Sequence, residues 1–194
     1  MAIRNTVGWK VNPSRAQLSA VLYKSVLANL PIPTCDVVLL NPARNRTLLF
    51  MRANKPVQGV WYTLGGRLLK NESLGACAAR KLRSEFGLRR DPSELVPAGL
   101  MEEVFADSMF AGVNSHCINS VFAHILSRDE YTARVSEESR LDRQHSQSRW
   151  FAIGDKSLHP YVRRKLELVF ATLRQRKQGI MSTGHVLQDC TRLL

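Results

Sequence analysis

Apolar residues recur every four positions at Leu74, Ala78, Leu82 and Phe86. That spacing predicts a helix with one apolar face. Ser73 is placed to cap its start and Gly87 to stop its end. Its other face carries Lys81, Ser84 and Glu85. A second stripe, Leu18, Val21, Leu22, Ser25 and Val26, predicts an amphipathic helix over residues 14–28 that covers a sheet and ends at Pro31 and Pro33. Tyr23 on this helix reads as a packing residue, with stacking on a base as the alternative. A third stripe, Val162, Leu166, Leu168, Val169 and Leu173, predicts a helix over residues 159–176. Apolar runs predict strands over residues 35–41 and 47–53, joined as a hairpin through a turn at 42–45. A loop and short strand follow over residues 54–64, with Trp61 expected in the core, and Gly65–Gly66 predicts a turn. Further strands are expected near residues 94–105, 115–126 and 149–153, with a loop around residues 107–112. Residues 127–149 are polar and charge-mixed and read as a long surface loop, a kind of segment that often carries function. Residues 1–176 are expected to form a single domain and residues 177–194 a tail of no assigned role. The order of elements predicts an α/β (α+β) fold, a mixed sheet between helices.

Composition narrows the classes of function. The chain has 194 residues, enough for one domain with a sizeable core, and 44% are hydrophobic. The net charge of +12 favours anionic partners. The arginines are spread along the chain rather than gathered in one tract with aromatics, which ranks nucleic-acid binding below nucleotide binding. No apolar run approaches the ~20 residues needed to span a bilayer, and the opening residues carry no signal-peptide core. Cys35, Cys77, Cys117 and Cys190 form no close pair in sequence and suit free thiols in a reducing cytoplasm.

The candidate chemistry lies around the central helix. Gly66, Glu72, Arg80, Leu82, Glu85, Gly87 and Leu88 fall at the spacing G-x5-E-x7-R-E-U-x-E-E-x-G-U, where U is aliphatic. This resembles the Nudix box, and so implies a Nudix-type α/β/α sandwich. Lys81 and Ser84 stand where ordinary Nudix hydrolases carry glutamates that bind cations and activate water. Arg67 follows the glycines directly and offers phosphate a planar fork of donors, or else is a solvated loop charge. Arg52 stands near the end of a predicted strand and Asp36 near the start of another, where an acidic residue is also ordinary edge chemistry.

A narrower resemblance covers roughly residues 20–170. PxPxxD at 31–36, RANKPVQGVWYTLGGR at 52–67, RKLRSEFGL at 80–88 and DRQHSQSRW at 142–150 are similar to the GDP-mannose mannosyl hydrolase family of the Nudix superfamily. That resemblance implies hydrolysis of a GDP-hexose by water attacking the anomeric carbon. Following the motif, Gly65 would offer its carbonyl and Glu85 and Gln144 their side-chain oxygens to one Mg²⁺, with Mn²⁺ as an alternative. Arg52 and Arg67 would hold the diphosphate. His145 would be the general base, at an ordinary pKa of about 6.5. Asp36 and Tyr23 would contact substrate, and Arg80 would pair with Glu72 to brace the loop. The family resemblance also admits a homodimer. Three positions depart from the family: Cys117 replaces a tyrosine, Leu22 an acidic residue, and Glu103 stands near where the family can carry an accessory histidine. Two rival functions stay open: a diphosphatase attacking phosphorus, helped by Glu102 or Glu103, and a non-catalytic nucleotide-binding domain. Without the resemblance, Gln144 and His145 read as a solvated loop, and Glu85 as a partner for Lys81 at i,i+4.

Overall fold

A computed structural model describes residues 3–4, 10–11, 18–137 and 148–179. Ile3–Arg4 (β1) and Lys10–Val11 (β2) form a small antiparallel ladder. Ala20–Asn29 (α1) follows, then Ile32–Leu40 (β3), Arg46–Met51 (β4), Trp61–Tyr62 (β5) and Leu64–Arg67 (β6). Leu74–Phe86 (α2) comes next, then a 3-10 turn at Pro92–Glu94, Val96–Phe105 (β7) and Ser115–Ile125 (β8). Arg128–Glu137 (α3), Ser148–Ala152 (β9) and Pro160–Lys177 (α4) complete the described order.

The main sheet runs β5-β4-β3-β8-β7, with β6 also paired to β3 and β9 to β4. β3 and β8 are parallel, whereas the other pairs are antiparallel, so the sheet is mixed as expected. Side chains alternate across a strand. Cys35, Val37 and Leu39 of β3 therefore join Cys77, Ala78, Leu82 and Phe86 of α2 on one side. Val38 and Leu40 join Val162, Leu166 and Val169 of α4 on the other. The result is the α/β/α layering. Ser73 Oγ accepts from Ala76 N at 3.2 Å, and Gly87 ends α2 in the left-handed region at φ 73°, so both signals work as read.

Several expectations are corrected. Gly65–Gly66 is not a turn but part of β6, with Gly65 opposite Asp36 of β3. Glycine is needed there because a Cβ would stand 1.9 Å from Asp36 Oδ1. Asp36 lies at mid-strand, because β3 starts at Ile32 rather than at residue 35. The stripe on α1 faces outward: Leu18, Val21 and Leu22 are exposed, and Leu27 is the buried residue. A short helix needs only one inward residue per turn, and here Tyr23 and Leu27 supply it. The supposed loop from residue 127 begins as α3, because Asp129 and Glu130 charge its first turn favourably and Ser127 Oγ accepts from Glu130 N at 3.2 Å. Cys35 and Cys77, distant in sequence, meet in the core as free thiols. A hydrogen bond with Cys35, together with burial, pushes the Cys77 thiol far up. Trp61 is only partly buried but packs on the α4-side core. Cys190 and the residues beyond 179 lie outside the described residues.

Candidate functional site

The glycine strand, β6, brings three parts of the chain to one cleft of about 180 Å³. Tyr23 from α1, Asp36 from β3, Arg52 after β4, and Gly65, Gly66 and Arg67 of β6 all line it. Five of the eight sequence-predicted site residues (Tyr23, Asp36, Arg52, Gly65 and Arg67) thus share one wall. Arg67 lies over the Tyr23 ring, 4.7 Å from its centroid, and Phe110 meets that ring edge-on at 6.0 Å. The Nε of Arg52 is buried with no hydrogen-bond partner among the described residues, as is Asn119 Oδ1, which belongs to a lining residue. Unsatisfied polar atoms at a cleft are the groups a polar ligand would satisfy. Glu85 stands beside this wall, where its Oε2 accepts from Gly65 N at 3.3 Å. Its Oε1 pairs with Lys81 Nζ. Gln144 and His145 lie outside the described residues.

The brace is a separate feature. Arg80 donates from Nε to Glu72 Oε1 at 2.6 Å and from Nη2 to Oε2 at 2.8 Å. The same Nη2 reaches the Arg67 carbonyl at 3.1 Å, and Leu69 N donates to Glu72 at 3.0 Å. Burial works to raise the Glu72 carboxyl, but these bonds outweigh it and hold it below the usual range.

The floor of the cleft was not visible in the sequence. Alternation puts Asp36, Glu103, Cys117 and Asn119 on the sheet face that α4 covers. Lys165 of α4 is fully buried there. Its Nζ pairs with Asp36, lies 2.7 Å from Glu103 Oε1, and reaches Thr63 Oγ1 at 3.1 Å. Glu103 accepts from the Tyr62 hydroxyl at 2.5 Å and from Asn119 Nδ2 at 2.8 Å, while Lys165 Nζ stands 4.0 Å from the Tyr62 ring centroid. Burial, then the charges of Glu103 and Asp36, push the Tyr62 hydroxyl far up. The same causes push the Cys117 thiol up to about 11. One signal could have revealed Lys165: it falls between Val162, Leu166 and Val169 on the inward stripe of α4.

For an oxygen-donor cation, Glu85 is the side-chain anchor that α2 offers beside the Gly65 backbone, while the Asp36 carboxylate of the wall is engaged by Thr63 and Lys165. Among the described residues, no three His, Cys, Asp or Glu side chains stand together as a metal cluster. Mg²⁺ is commonly bound through one or two carboxylates plus substrate phosphates, so Glu85 meets the minimum.

The model of the NUDIX domain matches residues 31–171. The chain belongs to the Nudix family. That membership supports a hydrolase, and Nudix hydrolases generally use divalent metals such as Mg²⁺. The low-salt glycan biosynthesis protein Agl8 of Haloferax volcanii is 30% identical over 146 residues, covering 75% of this chain and 86% of that protein. A MutT Nudix hydrolase from Burkholderia pseudomallei superposes with a TM-score of 0.56 at 21% identity, covering 73% of this chain and 99% of that one. The Nudix domain of Shewanella oneidensis NrtR, solved with ADP-ribose, gives 0.52 at 18% identity, covering 80% and 99%. These two structures share the fold. No helix among the described residues is long and apolar enough to cross a membrane.

Proposed function

We propose that the chain hydrolyses GDP-mannose or a related GDP-hexose to GDP and the free sugar, by attack of water on the anomeric carbon. One observation carries this reading: the cleft wall offers two guanidinium groups, Arg52 and Arg67, while α2 offers a single carboxylate, Glu85. That balance suits holding a departing diphosphate rather than gathering several cations for attack at phosphorus. The alternative of compensation by Glu103 is weakened by its three partners, Lys165, Tyr62 and Asn119. Glu102 points to His116 at 3.8 Å and is largely exposed. The name of the Haloferax relative, a glycan biosynthesis protein, is consistent with a sugar-nucleotide substrate.

In this reading Arg52 and Arg67 grip the diphosphate and stabilise the charge that grows on it as the bond from the anomeric carbon to its oxygen breaks. The orphaned Nε of Arg52 is a ready donor. Tyr23, held by Phe110 and Arg67, walls the nucleotide side. Asp36, fixed by Thr63 at 2.7 Å and by Lys165, faces the sugar from the floor. His145 takes the proton of the attacking water. Glu85, the Gly65 carbonyl and Gln144 would hold Mg²⁺, which supplies further neutralisation of the leaving group. The working location is the cytoplasm, and a homodimer belongs to the same family reading.

The experiment is hydrolysis of GDP-mannose in ¹⁸O-water with Mg²⁺. Label in free mannose, with unlabelled GDP, is the expected result. GMP with label in a phosphate means attack at phosphorus. Binding without turnover leaves the nucleotide-binding alternative. His145→Ala is expected to keep GDP affinity and lose about 10²–10⁴-fold in rate.

A further inference from the structure

The helix beside the cleft carries an ammonium one turn before its single glutamate: Lys81, then Glu85. Lys81 Nζ pairs with Glu85 Oε1, and the two side chains are only 19% and 16% exposed. The other oxygen of Glu85 is held by Gly65 N at 3.3 Å. The tip of Lys81 also lies against the glycine strand, since a Cβ on Gly66 would stand 2.9 Å from Lys81 Cε and 3.0 Å from Nζ. Gly66 lines the cleft, so this ammonium lies behind the cleft wall, against the α2 side of the strand that forms it. Helix stability is a weak reason for it. The favourable order for an i,i+4 pair is glutamate before lysine, and here the order is reversed.

We propose that Lys81 is a tethered cation that competes with a divalent ion for Glu85, so that the cleft receives a nucleoside diphosphate without added metal. With Lys81 in place, Glu85 no longer repels a diphosphate drawn in by Arg52 and Arg67. A divalent ion gains Glu85 only when the flexible stem of Lys81 swings off Gly66. The side chain thus lowers metal affinity and raises metal-free nucleotide affinity at once. The inference rests on the cleft as a diphosphate site, but not on which bond is broken.

The test uses the full chain and its Lys81→Met variant, with matched thermal unfolding as the check on folding. Mn²⁺ is titrated without nucleotide and free Mn²⁺ is followed by electron paramagnetic resonance. The variant is expected to bind Mn²⁺ about tenfold more tightly, the scale of one charge-assisted contact removed from competition. GDP titrated calorimetrically in EDTA is expected to bind the variant about tenfold more weakly. Equal Mn²⁺ affinity in the two folded proteins overturns the proposal. So does Mn²⁺ binding to neither. If Lys81→Met does not fold, Lys81→Gln is read by the same criteria. Failure to hydrolyse GDP-mannose would count against the proposed reaction, whereas the Mn²⁺ titration judges Lys81 alone.

Discussion

The two sides of the sheet handle charge differently. On the α2 side, Arg80–Glu72 and Lys81–Glu85 lie at the rim of an apolar core, each with a partner in reach of water. On the α4 side, Lys165 is fully buried among Asp36, Glu103 and Thr63. Lys81–Glu85, made by one flexible ammonium, can exchange its partner for water or a ligand at small cost. A buried cation cannot, since its carboxylates would be left without a counter-charge. The α2 side therefore suits binding events that come and go, and the α4 side holds the cleft floor in one arrangement.

The sharpest way to break this contrast is Lys165→Met. It leaves Asp36 and Glu103 buried without their cation and is expected to cost about 3–5 kcal/mol, read from the urea midpoint. Adding Asp36→Asn and Glu103→Gln to the same protein should restore much of that loss, because the unpaired charges go. A loss below about 1 kcal/mol for the single variant would mean the network tolerates separation and the two sides are alike.

The α2 side also has a buried ionisable group, His124, which faces Arg90 and Glu94. Burial first, and then the charge of Arg90, lower its pKa to about 4 from 6.5. The folded form thus keeps the ring neutral while the unfolded chain takes up a proton below pH 6.5. The stabilising contribution is complete above that pH and is lost as pH falls towards about 4. The loss should be on the order of 2 kcal/mol, since solvent screens part of the shift. His124→Phe is expected to flatten this part of the stability–pH curve. Parallel wild-type and variant curves between pH 7 and pH 4.5 would remove His124 from the acid response.

What could be read from the sequence follows the same division. Glu72 and Arg80 are 8 residues apart, and Lys81 and Glu85 form an i,i+4 pair, so the box spacing and the helix period exposed both pairs. The caps at Ser73 and Gly87 were legible for the same local reason. Lys165 and Asp36 are 129 residues apart, and their meeting depends on β3 pairing with β8 and on α4 crossing that face. No local pattern encodes it. The outward turn of Val21 and Leu22 failed in a related way, because the stripe on α1 is real but the fold, not the stripe, decides which side meets the sheet. The glycines misled because their need is a close approach, of Asp36 to Gly65 and of Lys81 to Gly66, not a turn.

Within the α2 rim the brace and the cleft pair should also separate. Arg80→Lys removes the two-point fork on Glu72 and the bond to the Arg67 carbonyl, which one ammonium cannot reproduce. A loss of about 1.5–2 kcal/mol is expected, seen as a lower thermal midpoint. If Arg80→Lys melts as the wild type does, the fork contributes nothing beyond its charge.

The smallest effect on stability should come from Glu85→Gln. The substitution keeps a carbonyl oxygen that can accept from Gly65 N, so the link to β6 survives. What it removes is the charge facing Lys81, whose flexible stem can carry the ammonium to water once released. Pairs of this kind contribute about 0.2–0.5 kcal/mol, so the thermal midpoint should shift by little more than the error of measurement. The same change removes the α2 carboxylate that a divalent ion would use beside Gly65, so Mn²⁺ affinity should fall even though the fold is untouched. A melting curve lowered as far as that of Arg80→Lys would instead make Glu85 part of the brace. The rim would then hold two structural pairs, and none left free to exchange its partner.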